Sequence, residues 1–227
     1  MKIISYNINS CSKEKVGKLL EKQADIYVVS EISCKEELAL PGEFEMEWNG
    51  LKWKDANGRN QSKGLGIVYK KGQATVPEWY GSNLKYAIPL LCNDILILGI
   101  WPTKDKERPD QSYTQIAKDI LECYAPHFRE KTLIIGDFNL FCKKDKNTDA
   151  DILQINKFLV SENFSSLYHK KTGEDFGAES EPTYYHQFKE AQPFFLDYTY
   201  SNFEVKDYEL LDFGRKFSDH VGQVVEI

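Results

Sequence analysis

The chain reads as α/β. Apolar runs of strand type recur from the first residues to the last, and stretches with helical spacing fall between them. At 227 residues the chain is long enough for one large domain with a substantial core. We therefore expect residues 1–227 to form a single domain, opening with a strand–helix–strand unit.

Lys2 to Asn7 is the first expected strand. Ser12 to Gln23 has Val16, Leu19 and Leu20 on one helical face, with Ser10 or Ser12 as a cap. Ile26 to Glu31 is a second, buried strand. From Ser33 to Gly64 the periodic pattern weakens, and glycine and asparagine recur from Trp48 onward, so the stretch from Trp48 to Lys63 is expected to be largely loop. Strands follow at Leu65 to Lys70, Leu84 to Leu91 and Ile95 to Trp101. Ser112 to Tyr124 repeats apolar residues at Ile116, Ile120 and Leu121, which predicts a helix. Asp149 to Glu162 predicts another, with Ile152, Ile155, Phe158 and Leu159 inward. The aromatic C-terminal third offers strands at Thr183 to Tyr185, Phe194 to Ser201, Val205 to Leu211 and Val221 to Ile227.

Composition narrows the function. No apolar run reaches transmembrane length, and the N-terminus reads as a strand, not a signal peptide. A cytoplasmic protein without a membrane partner is the expectation. Five cysteines, at 11, 34, 92, 123 and 142, have no C-x-x-C spacing, which argues against a disulfide framework and a thiolate zinc site. Cys92 and Cys123 are expected in the core. The formal net charge of −6 does not suit a protein that grips long duplex by bulk charge. A polyanion would need a local basic patch and a metal, whereas a small phosphoester would need no patch. The sequence leaves the oligomeric state open.

The most informative stretch is Leu133-Ile134-Ile135-Gly136-Asp137-Phe138-Asn139. On an extended chain residues two apart share a side, so Asp137 and Asn139 would face one small volume and Phe138 the core. Gly136 would let the backbone approach what fills that volume. By itself the tetrad could equally be a strand ending in a turn. Other strand-then-polar endings accompany it: Ile3-Ile4-Ser5-Tyr6-Asn7, Ile26-Tyr27-Val28-Val29-Ser30-Glu31, Phe194-Phe195-Leu196-Asp197-Tyr198 and Ser218-Asp219-His220.

In that order the set resembles the endonuclease/exonuclease/phosphatase superfamily, the DNase I-like phosphoesterases, across nearly the whole chain. The resemblance implies a four-layer α/β (α+β) sandwich: two mixed β-sheets face to face, flanked by helices. It also implies a site. Glu31 would be the principal metal ligand, with Asn7 and Asp219 beside it. Ser30 stands where relatives usually have glutamine. Asp137 would orient or deprotonate the attacking water, and Asn139 would donate to a phosphate oxygen. His220 would contact the phosphate, its tautomer fixed by Asp197. Hard oxygen ligands of this kind suit Mg²⁺ or Mn²⁺.

Two departures stand out. Relatives carry histidine or tyrosine at the end of the strand where this chain has Trp101, and an indole cannot transfer a proton at neutral pH. Trp101 would then contact phosphate, stack on a base or sugar, or simply pack. Phe195-Leu196 replaces a histidine or arginine of several relatives. Two loops could grip a polyanion: Trp48 to Lys63, with Lys52, Lys54, Arg59 and Lys63 among tryptophans, and Cys142 to Asn147. Such charge runs are often only solvated surface.

The leading expectation is a divalent-metal-dependent phosphodiester hydrolase, a nuclease with DNA as partner. The alternative on the same scaffold is a phosphomonoesterase, or a hydrolase of lipid headgroups or small phosphodiesters. An inactive nucleic-acid-binding module is the remote third, since every expected acid, amide and the closing histidine are present.

Overall fold

The computed structural model describes residues 1–38, 40–81, 86–104, 109–142 and 151–227. In chain order the elements are β1 (Lys2–Asn7), α1 (Lys13–Leu20), β2 (Ile26–Ile32), β3 (Phe44–Lys54), β4 (Asn60–Lys70), β5 (Ala87–Cys92), β6 (Ile95–Ile100), α2 (Tyr113–Tyr124), β7 (Thr132–Asp137) and α3 (Ile152–Ser161). They continue as β8 (Ser165–Ser166), α4 (Leu167–Thr172), β9 (Tyr184–Tyr185), β10 (Pro193–Phe194), β11 (Asp197–Ser201), β12 (Asp207–Leu211) and β13 (Gly222–Glu226).

Among the described residues the strands form two mixed sheets and a short β9–β10 hairpin. The first sheet runs β12-β13-β1-β2-β4-β3 and the second β5-β6-β7-β11-β8. Each holds one parallel pair, β1 with β2 and β6 with β7, amid antiparallel neighbours. Strand alternation sorts the faces. Ile3, Val28 and Ile67 point inward and join Ile97, Ile135 and Tyr200 of the other sheet in the main core. Ile4, Tyr27 and Val29 point outward and meet Val16 and Leu19 of α1. Ile116 and Ile120 of α2 and Ile155 and Leu159 of α3 pack onto the second sheet. The expected sandwich of two mixed sheets flanked by helices is therefore the observed one.

Local chemistry sets the helix starts. Ser12, Ser112 and Asp151 each accept a hydrogen bond from a free first-turn N–H, those of Lys15, Gln115 and Leu153. No described helix is long and apolar enough to cross a membrane.

Several expectations need correction. The stretch from Trp48 to Lys63 is not a loop but most of the β3–β4 hairpin, paired from Phe44–Lys70 to Lys54–Asn60. Its turn is an Asx turn: Asp55 Oδ1 accepts from the N–H groups of Asn57 and Arg59, and Gly58 takes φ 74°. Gly50 and Gly64 face each other under the Trp48 ring, and a Cβ on Gly50 would lie 2.4 Å from the Gly64 Cα. Those glycines fit two backbones against an indole; they do not mark a loop. Beyond Asn49 the hairpin is largely exposed, so the alternation that betrays a strand is lost.

Cys123 is exposed, whereas Cys92 is buried as expected. The inward stripe of α2 is Ile116, Ala117, Ile120, Leu121 and Tyr124, and Cys123 falls at its edge. The fifth strand begins at Ala87, and positions 84 and 85 lie outside the described residues. Phe194 to Ser201 is two strands, β10 and β11, separated by Phe195 and Leu196. The starts of the Asp149 helix and of the strand at Val205 move to Ile152 and Asp207. Residues 143–147 also lie outside the described residues.

Candidate active site

Strand direction brings the singled-out side chains together. β1, β2 and β7 end at one edge of the sandwich with Asn7, Glu31 and Asp137. β11 runs antiparallel to β7, so Asp197 at its start pairs in register with Asp137 at the other's end. β13 runs antiparallel to β1, which places Asp219 and His220, just before it, beside Asn7. Ser218 Oγ ties the two together, donating to the Asn7 carbonyl (2.7 Å) and accepting from the His220 N–H (3.0 Å).

Asp137 is buried and held on both oxygens. Asn7 Nδ2 donates to Oδ2 (2.9 Å), and the Asn139 backbone N–H donates to Oδ1 (2.9 Å). β7 stops at Asp137, and Asn139 has φ 53°. A tight turn, not the strand pleat, thus joins the pair. Phe138 does point into the core. Gly136 serves a different end from the one its neighbours suggested. Its φ is 156°, and a Cβ there would lie 1.9 Å from the Ile100 carbonyl oxygen, so the close approach is to β6. The Asn139 side chain donates to the Pro102 carbonyl (2.9 Å).

His220 Nδ1 lies 2.9 Å from Asp197 Oδ2, and its Nε2 lies 4.0 Å from Asp137 Oδ2. Atoms of these three buried residues fall within 4.8 Å of one another. Burial would push His220 down, but Asp197 and then Asp137 more than offset it and raise the imidazole from 6.5 to about 9. Burial raises Asp137 to about 7, with Asp197 adding to the rise and His220 opposing it. Burial likewise raises Asp197, against the pull of His220 and the Thr183 hydroxyl. The cluster therefore keeps its charge on the ring across neutral pH, with a carboxyl beside it that titrates near neutrality.

Glu31 sits at a β-bulge, where the register shifts between Ser30 and Ile32 and φ is 63°. Asn9 and Ser10 are also left-handed, at φ 40° and 70°. Strained non-glycine backbone collects where side chains must be aimed. Glu31 is partly exposed and not unpaired: Lys63 Nζ lies 2.7 Å from Oε2, and the Ser10 N–H donates to the same oxygen at 3.3 Å. Asp219 differs. Its Oδ1 is buried, and among the described residues it has no hydrogen-bond partner. An orphaned buried carboxylate oxygen is costly. A hard cation would resolve that cost at Asp219. The Asn7 amide is already used at both ends, Oδ1 accepting from the Asn9 N–H (3.0 Å) and Nδ2 donating to Asp137.

Trp101 is 4% exposed and packs edge-on against Tyr86, ring centroids 5.2 Å apart. It is a core residue with one edge on a cavity of about 710 Å³ that Glu31, Lys52, Lys63 and Asn139 also line. Lys54 and Arg59 lie outside that cavity, and Lys52 pairs with Glu36 at 3.1 Å. The four cations thus do not form one cluster.

The sequence reading missed several residues of the site. The Tyr184 ring lies 4.7 Å from that of His220, brought there by the bridge between the two residues. The Thr183 hydroxyl accepts from the N–H groups of Leu196 and Asp197 and fixes the start of β11. The Tyr6 hydroxyl donates to the His220 carbonyl at 3.0 Å. Lys15 Nζ donates to the carbonyls of Ile8 and Asn9; burial lowers its pKa, while Asp219 and Glu31 hold it up. Thr183 and Tyr184 precede Asp197 in an aromatic stretch, which is a faint signal. Nothing in the sequence pointed to Lys15.

Comparison with known proteins places this geometry. No curated protein sequence matches the chain. Among solved structures, an AP endonuclease from Archaeoglobus fulgidus superposes with a TM-score of 0.73 at 17% identity, covering 99% of this chain and 98% of that one. A 3′ phosphatase, NExo, from Neisseria, bound to a product DNA hairpin, gives 0.68 at 14% identity, covering 100% and 99%. The endonuclease domain of TRAS1, a telomere-specific non-LTR retrotransposon, gives 0.64 at 14%, covering 99% and 96%. At such identities the superpositions establish a shared fold alone. The endonuclease/exonuclease/phosphatase family model, by contrast, matches the sequence itself from residue 4 to residue 220, a span that takes in every acid, amide and histidine of the site, and the chain belongs to that family.

Proposed function

We propose that the protein is a divalent-metal-dependent phosphodiester hydrolase acting on nucleic acid, with DNA as the first substrate to test. The family is one of metal-dependent phosphoesterases. The observation that carries the finer reading is the buried Asp137–His220–Asp197 cluster, beside the orphaned oxygen of Asp219.

In this reading Asp137 takes the proton from the attacking water. Its two held oxygens keep it oriented, and a carboxyl at about 7 is ionised in the range where a general base is useful. His220, positively charged to about pH 9, faces the phosphate and offsets the charge that develops on it. Asp197 is a positioning residue, accepting from Nδ1 so that Nε2 carries its proton toward the substrate. Asn139 donates to a phosphate oxygen with the amide hydrogen not used on Pro102. Glu31, Asp219 and Asn7 would hold Mg²⁺ or Mn²⁺, which supplies Lewis-acid polarisation of the phosphoryl group. Lys63, already beside Glu31, is the nearest of the four cations to a bound phosphate. Lys52, Lys54 and Arg59 guide a polyanion at longer range.

A phosphomonoesterase is the second reading. One fold neighbour is named a 3′ phosphatase, and lysines flank the cavity next to Glu31. The same reading takes residues 1–227 as one domain in a reducing, cytoplasmic setting, in keeping with five free cysteines. The test is hydrolysis of single-stranded DNA, duplex DNA, RNA, a generic phosphodiester and a 3′-phosphorylated oligonucleotide, with Mg²⁺ or with chelator. Metal-dependent diester cleavage is expected. Release of inorganic phosphate alone would select the second reading, and no hydrolysis of any of them would defeat both.

A further inference from the structure

The cavity beside Glu31 and Asn139 has a composition that a phosphate alone does not explain. Its volume, about 710 Å³, falls within the roughly 300–1,000 Å³ of small-ligand sites. Tyr86 and Trp101, both nearly buried, form part of its wall. Leu51 and Trp53 of β3 and Tyr113 at the start of α2 supply more of its apolar lining. Trp53 is 47% exposed, one of the few large apolar side chains so displayed among the described residues. Two lysines hold their ammonium groups near these rings: Lys63 5.6 Å from Trp101 and Lys104 5.5 Å from Tyr113.

An aromatic wall with cations at its edge, opening onto a phosphoryl site, suits one kind of group: a flat π-system attached to a phosphate. The donors of the lining, Lys52, Lys63, Thr103, Lys104 and Asn139, suit the phosphate, and the aromatic rings are the part that a bare phosphate or a sugar phosphate would not use. A base pair in an intact duplex presents its edge in a groove and cannot enter a pocket, whereas an unpaired base can, at the cost of unstacking. We propose that this cavity is a nucleobase subsite, taking one unpaired base from the nucleotide next to the scissile phosphate. The substrate class is then single-stranded or frayed nucleic acid, in keeping with a net charge of −6 that disfavours a long duplex. The inference rests on the hydrolase reading above for the position of the scissile phosphate.

Two measurements test it. The first compares kcat/KM for thymidine 5′-(p-nitrophenyl phosphate) with that for methyl p-nitrophenyl phosphate, which has the same leaving group and no base. The base should give an advantage of roughly 5- to 150-fold, the worth of one base–aromatic stack. Trp53→Ala should shrink that advantage while leaving the methyl diester unchanged. Leu51→Trp, which fills the cavity, should do the same, and melting temperatures check both folds. The second measures binding without turnover: thymidine 5′-monophosphate should quench tryptophan fluorescence at a concentration at least about fivefold below that at which deoxyribose 5-phosphate competes. Equal kcat/KM for the two diesters, or equal loss on both in the variants, overturns the subsite while leaving the hydrolase reading intact. If neither diester is hydrolysed, the hydrolase reading is decided by the wider substrate set given for it above, and the binding comparison decides the subsite by itself. Faster hydrolysis of a phospholipid in mixed vesicles than of oligothymidylate would also overturn it.

Discussion

Replacing Asp197 by asparagine removes one charge from a buried pair while keeping its shape and an oxygen that can accept from His220 Nδ1. In the wild type the imidazole is held at about 9 against an ordinary 6.5, although burial by itself pushes it down. One pH unit corresponds to about 1.36 kcal/mol, so the span is roughly 3 kcal/mol favouring the charged ring in the folded state. Because the folded value is the higher one, this stabilisation is fully present below about pH 6.5 and is lost as pH rises through about 9. In Asp197→Asn the largest of the attractions that offset burial is gone and only those of Asp137 and Asp219 remain, so the imidazole falls back toward its ordinary value and most of the contribution is missing. The stability gap between wild type and variant should therefore narrow by most of that roughly 3 kcal/mol from pH 6.5 to pH 9. For a chain of this length the full amount is roughly 6–12 °C of melting temperature. The assay is calorimetry in chelator at half-unit pH steps, so that bound metal does not contribute. A gap of constant size, or a wild-type His220 resonance titrating near 6.5, would refute the reasoning.

Glu31→Gln should shift the metal titration of activity to higher concentration and be partly rescued by excess Mg²⁺; an unchanged titration would remove Glu31 from the metal site. Trp101→Ala should cost roughly 3–5 kcal/mol of stability in urea unfolding, as for a buried tryptophan. At low temperature it should cleave a small diester at near wild-type rate, and loss of turnover with stability retained would make Trp101 a substrate contact. Neutralising Lys52, Lys54 and Arg59 together should raise KM for polynucleotide and flatten its salt dependence, by a log–log slope of about 0.7 for each single-strand phosphate that is no longer neutralised. A small diester should be unaffected, and equal impairment on both substrates would make the hairpin structural.

Asn7, Glu31 and Asp137 were legible because each closes an apolar run of strand type, whereas Asp197 opens β11 and Asp219 and His220 precede β13. The antiparallel pairing of β7 with β11 sets Asp137 opposite Asp197, and His220, which precedes β13 of the other sheet, reaches both from across the sandwich. The hairpin was not legible. Its exposed half has no alternation, and its glycines serve backbone packing. Gly136 was recognised for its freedom but assigned to the wrong neighbour, because sequence shows that a Cβ is missing and not what occupies its place. Trp101 could be read as contact or as core, and the structure gives it a share in both, a nearly buried ring that also lines the cavity. The Lys63–Glu31 pair joins residues 32 apart across the β2–β4 pairing, and no local pattern announces such a contact.

Whether Asp137 takes the proton from the reacting water is decided by single-turnover cleavage with Asp137→Asn. Asparagine preserves the size of the side chain and keeps an oxygen for one of the two donors, Asn7 Nδ2 or the Asn139 N–H, while its amide NH2 faces the other; it cannot take a proton, and a melting temperature checks that the fold is kept. With saturating Mg²⁺ the rate constant should fall by roughly 10²–10⁴-fold, the usual contribution of a positioned base, while the dissociation constant for uncleaved DNA stays within a few fold. A single-turnover rate close to that of the wild type would contradict the account.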